Sequence, residues 1–127
     1  TAGNWTMIFR YPDVVLMVAE AKMRATAADN AGALALVNEL RTARAAAPMT
    51  AMSLVNPNNV ADPHTLLAER GRELYWEIVR RTDLIRFGVF MKPWALKPAS
   101  DAAHLVFPIP STALAANPNL KQNPGYN

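Results

Sequence analysis

Three glutamates spaced four residues apart, Glu69, Glu73 and Glu77, are the side chains whose type and spacing could do chemistry. On one α-helix this spacing places all three carboxylates on the same face. Carboxylates in a row could bind a divalent cation or supply an acid and a base. Several arginines accompany them, and an arginine fork satisfies a carboxylate without any metal. The pattern therefore favours an ion-pair network over a metal site or an active site.

The predicted network belongs to one helix. Oppositely charged residues three apart share a helix face, as do Glu69 with Arg72, Arg70 with Glu73, and Glu77 with Arg80. The predicted members of the network are Glu69, Arg70, Glu73, Glu77, Arg80, Asp83 and Arg86. Such a set indicates a helix that docks against a larger body.

Other reactive side chains give no catalytic pattern. His64 and His104 are the only histidines, and neither has the spacing of a metal site or a catalytic triad. The absence of cysteine excludes disulfides and thiolate catalysis. A glycoside hydrolase needs two facing carboxylates, and nothing in the sequence brings Asp101 to the three glutamates. We predict no enzyme activity, no catalytic residue, no metal and no cofactor.

Composition limits the remaining classes. The chain has 127 residues, enough for one domain with a buried core, and a formal charge of +3. Acidic and basic residues alternate without a basic block, which argues against nucleic-acid binding. No apolar run is long enough to span a bilayer. The chain opens TAGNWT without an initiator methionine, so it was either processed or is a piece of a longer protein. We expect a piece, because a single helical hairpin cannot bury its apolar face alone.

Helical periodicity supports an all-α fold. Pro12 and Asp13 suit the first turn of a helix, and residues 11–47 carry two apolar stripes joined by a short polar turn. This predicts a helical hairpin over 11–47. Asp62 and Pro63 predict the start of a third, long helix over 62–88. Six prolines beyond it predict an irregular Pro/Asn-rich tail over 89–127.

Four blocks, in this order and spacing, resemble the C-terminal part of the SusD/RagB family and cover nearly the whole chain. They are RYPDVVLMVAEA (10–21), ALVNELRTARA (35–45), ERGRELYWEIVRRTDLIRFG (69–88) and FPIPSTALAANPNLKQNPGY (107–126). The third block departs from the usual family pattern, because Ile78 stands where that pattern has glycine. If close backbone packing requires glycine at this position, Ile78 must be accommodated by a shift of the local backbone.

The resemblance implies a function. Members of the family are surface lipoproteins of the outer membrane that bind oligosaccharides for nutrient uptake, without catalysis, together with a SusC-like TonB-dependent barrel transporter. It also implies that residues 11–47 form a tetratricopeptide-like pair, and that 1–127 is the C-terminal portion of such a domain. The lipid-anchoring cysteine would lie in an N-terminal region that this chain does not include.

Aromatic side chains are where sugar binding could occur, because their faces stack on the C–H face of a pyranose. Tyr75 and Trp76 are expected in the core of the third helix, and Trp5 is expected to be buried among its apolar neighbours. Trp94 is a weak candidate for ligand binding, with packing the favoured role. An alternative function is a helical-repeat adaptor for protein partners, since alanine-rich hairpins often bind peptides.

Overall fold

The structure, a computed structural model, describes residues 7–126. Trp5 lies outside the described residues. Within them the chain is helical and has no strand, which confirms the all-α class. The elements are α1 (Tyr11–Arg24), α2 (Asn30–Ala43), α3 (Leu66–Glu73), α4 (Arg80–Arg86), a 3₁₀ helix (Ala102–Leu105) and α5 (Ser111–Ala116). None of the helices in this part of the chain has the length and hydropathy required to cross a membrane.

Helices α1 and α2 pack against each other as a hairpin, joined through residues 25–29. Pro12 lies in the first turn of α1, and the Asp29 side chain caps α2 by accepting a hydrogen bond from the Gly32 N–H. Small alanines at the contact let the two backbones approach closely. Ala19 and Ala33 are fully buried there.

Two adjoining clusters of apolar side chains form the core. The first joins α1, α2 and α3 through Val15, Leu16, Ala19, Ala33, Val37, Leu40, Met49, Leu66 and Leu74. The second lies around α4 and consists of Val60, Leu67, Leu84, Phe87 and Val89. Helix α3 contributes Leu66 to one cluster and Leu67 to the other, so this short helix connects the two halves of the core.

The single helix predicted over 62–88 is wrong. Helix α3 starts only at Leu66, because Thr65 is the residue whose side chain caps it, accepting from the Ala68 N–H. The helix then ends at Glu73, and α4 begins at Arg80. The intervening residues 74–79, called the aromatic loop below, contain two non-glycine residues with positive φ, Trp76 at 64° and Ile78 at 66°. This left-handed backbone cannot continue an α-helix.

The tail is held by polar contacts. Between 90 and 126 no residue is buried, and the structure there consists of turns and two short helices. Arg81 fastens the tail to α4: its Nη2 donates to the carbonyls of His104 and Leu105, and its guanidinium lies 4.3 Å from the Phe107 ring centre. Further along, Gln122 bonds both the N–H and the carbonyl of Ile109.

Candidate functional site

A buried ion-pair cluster holds α3 against α1 and α4. Arg70 Nε donates to Asp83 at 2.8 Å, and Arg70 Nη1 lies 3.0 Å from Asp13 Oδ1. All three side chains are at most one tenth exposed. Arg86 extends the cluster at the surface by binding both Asp83 and Glu20. Asp13 comes from α1, so the cluster ties the hairpin to the segment after it.

A second ion-pair cluster lies on the other face of α3. Glu69 accepts from Arg41 of α2 and from Arg72, its neighbour on α3. Glu73 accepts from Arg44 at 2.7 Å and from Arg10 at 2.6 Å. The hydrogen bond from Arg44, opposed by partial burial and aided by Arg10, lowers the pKa of the Glu73 carboxyl below its usual value.

The structure brings most of the predicted network residues into ion pairs, but with other partners than expected. Of the three pairs named from the sequence, Glu69 with Arg72 is present among residues 7–126, as is Asp83 with Arg86, a further pair with the same spacing. Arg70 instead binds Asp13 and Asp83, and Glu77 binds Arg10. Arg80 donates to the Leu67 carbonyl at 2.8 Å. The break at 74–79 separates Glu77 from Arg80, which removes the shared helix face on which that pair depended.

Three arginines outside the predicted segment bind its glutamates, and sequence reasoning missed them. Arg10 precedes α1, while Arg41 and Arg44 lie at the C-terminal end of α2. Periodicity within one helix finds only partners on that helix. No spacing in the sequence links them to glutamates that lie 28 to 67 residues further along the chain.

The three glutamates do not form a cation site in the part of the chain that the structure describes, where no cluster of metal-type ligands occurs. Glu69, Glu73 and Glu77 each accept from at least one arginine. His64 is exposed beside Asp62. Asp101 caps the 3₁₀ helix by accepting from the Ala103 N–H.

Tyr75 and Trp76 are exposed, which corrects the expectation that they are core residues. Their exposed fractions are 73% and 87%. The reason is the break in the helix: the left-handed turn at Trp76 directs this stretch out of the core, and Leu74 is its buried residue. The two rings lie 6.0 Å apart, tilted by 31°.

A cavity of about 600 Å³ lies between the aromatic loop, α3, the segment that precedes α3 and the start of α4. Its walls are mainly apolar and include Val60, Pro63 and Leu74, with Tyr75 and Trp76 on one side. Charged residues also line it: Arg70, Arg72, Arg80 and Asp83. A concave apolar surface with a few polar groups is the usual form of a small-ligand site.

Trp94, the weak candidate for ligand binding, is half-buried against the second core cluster. Lys97 lies 4.5 Å above its ring, and the backbones of the two residues pair in a tight turn. With one face covered by a cation, Trp94 offers a sugar less surface than Trp76 does.

The structure explains what a glycine would do at position 78, where this chain has isoleucine. Ile78 is 82% exposed and adopts φ 66°, a conformation that only glycine takes without strain. An exposed position needs no close packing against the backbone, so close packing is not the reason for a glycine there. A glycine would serve the left-handed turn that ends the aromatic loop.

The sequence profile of the SusD family matches residues 1–102. The first three resembling blocks, 10–21, 35–45 and 69–88, fall within that range, and the tail block 107–126 lies beyond it. No curated protein matches the chain. The match covers well over half of the residues and confirms the resemblance. The chain belongs to the SusD family.

Proposed function

We propose that this chain is part of a glycan-binding protein that captures oligosaccharides for nutrient uptake at the outer membrane. In this proposal the protein is a lipid-anchored cell-surface lipoprotein and delivers its ligand to a SusC-like TonB-dependent barrel transporter. Residues 11–47 serve as a tetratricopeptide-like pair within its scaffold. Membership of the SusD family supports all three statements.

The single observation that carries the proposal is the exposed pair Tyr75 and Trp76 beside the apolar cavity. Neighbouring apolar side chains that are exposed together form the kind of surface patch that marks a site for a ligand or for another protein surface. Sugar rings stack on such faces through their C–H groups, and guanidinium groups such as that of Arg80 bond their hydroxyls. Residues held in left-handed backbone cluster at ligand sites, and Trp76 is one of them.

The proposal is one of binding without turnover. Glycoside hydrolysis requires one carboxylic acid that keeps its proton at neutral pH. The pKa of Glu73 moves in the opposite direction, because Arg44 stabilises its ionised form. Glu69 and Glu77 are likewise bound by arginine. These carboxylates act as scaffold.

Calorimetric titration of the full-length protein with a panel of oligosaccharides tests the proposal, with product analysis of the same mixtures. We expect binding and no shortened products. Tyr75→Ala should weaken binding about tenfold through the lost stacking surface. Tyr11→Ala is the matched control, because Tyr11 has the same 73% exposure and does not line the cavity. Equal loss in both variants, or sugar cleavage, contradicts the proposal.

A second candidate, the helical-repeat adaptor for protein partners, has one observation in its favour. Val14, Met17 and Val18 form an exposed apolar stripe on α1. An adaptor would lose its partner when Val18 is changed to a charged residue and would bind none of the sugars in the panel.

A further inference from the structure

A second cavity, called the arginine cleft here, lies between the C-terminal end of α2, the start of α1 and α3. Its volume is about 420 Å³. The charged residues that line it are Arg10, Arg41, Arg44, Arg72, Glu69 and Glu73. Neither the family resemblance nor the predicted network assigns this cleft a ligand.

Positive charge is in excess in the arginine cleft. Its four arginines face two glutamates. Positive charges still outnumber negative ones when Glu77, which Arg10 also binds, is counted. Both glutamate side chains are less than one tenth exposed, whereas Arg44 is 52% and Arg72 43% exposed. An approaching molecule therefore meets guanidinium groups before it meets carboxylates.

Unused donors remain on three of these arginines. Arg41 bonds through Nε and Nη1, and its Nη2 has no hydrogen-bond partner within residues 7–126. Arg44 and Arg72 both bond through Nε and Nη2, which leaves each Nη1 without a partner in the same stretch. Three guanidinium donors on one cavity can bind the oxygens of a carboxylate or a sulfate ester.

The arginine cleft adjoins the aromatic cavity, because Arg72 lines both. A ligand that reaches from one cavity to the other needs an apolar ring face at one end and an anionic group at the other. Free phosphate lacks the ring. A nucleic acid is disfavoured by the mixed charges of the chain, which form no basic block. An acidic sugar has both features.

We propose that the arginine cleft binds the carboxylate or sulfate group of an acidic oligosaccharide whose neighbouring ring stacks on the aromatic loop. This inference rests on the proposed function and adds a ligand class to it. The anion places its oxygens on Arg41, Arg44 and Arg72, while Glu69 and Glu73 hold those arginines in position.

Two matched pairs of probes test this with the full-length protein. The first pair is an oligogalacturonate and its methyl-esterified, neutral form; the second is a carrageenan oligosaccharide and its desulfated form. We expect at least one acidic probe to bind about tenfold more tightly than its neutral counterpart, with an affinity that falls as NaCl rises to about 0.5 M. The pair that shows the difference tells whether the group is carboxylate or sulfate.

Arg44→Gln should reduce the preference for the acidic form, because it removes one of the three guanidinium groups that bind the anion. Arg24→Gln is the matched control. Arg24 is 42% exposed and pairs with buried Glu20, which is also bound by Arg86. Unlike Arg44, Arg24 lies outside the cleft. Both variants leave their glutamate with one arginine partner. Melting curves verify that each is folded, and the salt dependence of the parent protein serves as a test that needs no variant.

The inference is overturned if neutral and acidic forms bind alike, or if Arg44→Gln keeps the full preference for the acidic form. Either result leaves glycan capture itself intact. Absence of binding to every sugar, neutral or acidic, refutes the proposed function, and the inference falls with it.

Discussion

Helices α3 and α4 and the aromatic loop between them are neighbours in sequence but differ in how they are held. The helices are fastened by arginine–carboxylate pairs whose central members are buried, such as Arg70 with Asp83. The loop exposes Tyr75, Trp76 and Ile78, and two of these residues have left-handed backbone. A strained loop persists only where its surroundings determine its path. The ion pairs on either side supply that constraint, so the scaffold and the candidate site depend on each other.

The largest effect is expected at Arg70, the centre of the buried cluster. Arg70→Ala leaves the carboxylates of Asp13 and Asp83 buried without their main cationic partner. The free energy of unfolding should fall by about 3–5 kcal/mol, measured by urea denaturation. The control Arg24→Ala removes a half-exposed arginine from Glu20, which keeps Arg86, and should cost less than about 1 kcal/mol. If both variants lost a similar amount of unfolding free energy, the buried ion pairs would contribute no more to stability than the surface ones.

A gain is expected in the loop. Ile78→Gly removes the steric conflict of a β-branched side chain at φ 66° and sacrifices little burial, because Ile78 is 82% exposed. Left-handed backbone costs a non-glycine residue about 1–2 kcal/mol, and the larger entropy of unfolded glycine offsets part of this. The net gain should be about 1 kcal/mol, seen as a higher melting temperature. Ile78→Ala is the control, since it removes the apolar side chain and retains Cβ. If both variants melt alike, the loop is not strained at this residue.

The smallest effect concerns pH. The pKa of Glu73 is lowered in the folded protein, first by Arg44 and then by Arg10. The unfolded state therefore takes up the proton first as the pH falls below 4.5, the ordinary value for glutamate. The contribution of the Glu73 carboxylate to stability is fully present above pH 4.5. It is lost as the pH falls through the lower pKa that Glu73 has in the folded protein. Glu73→Gln should show a shallower loss of urea stability between neutral and acidic pH than the parent protein, and parallel curves would count against the ion pair.

Local signals allowed much of the fold to be predicted. The hairpin followed from apolar periodicity, Pro12 and the short polar turn between the two stripes, all of which act within a few residues. The break after Glu73 could not be found in this way, because Trp76 and Ile78 are residues that rarely adopt positive φ. The glycine expected from the family pattern at position 78 was the one sign of a turn.

The candidate site was harder to predict than the fold. The partners of Glu73 are Arg10 and Arg44, which are distant in sequence and meet it only through the packing of α1 and α2 against α3. The exposure of Tyr75 and Trp76 likewise depends on the break, since an unbroken helix would place them differently. Contacts that form only in the tertiary structure produce no regular spacing of residues by which the sequence could reveal them.

Arg10 has a consequence for the order in which the chain folds. Its guanidinium donates to the carboxylates of Glu73 and Glu77, which follow it by 63 and 67 residues. During synthesis the hairpin leaves the ribosome with all of its own contacts available, while Arg10 has no partner until α3 has emerged. Closing so long a loop is slow compared with pairing adjacent helices. We therefore expect the hairpin to assemble before Arg10 binds Glu73 and Glu77.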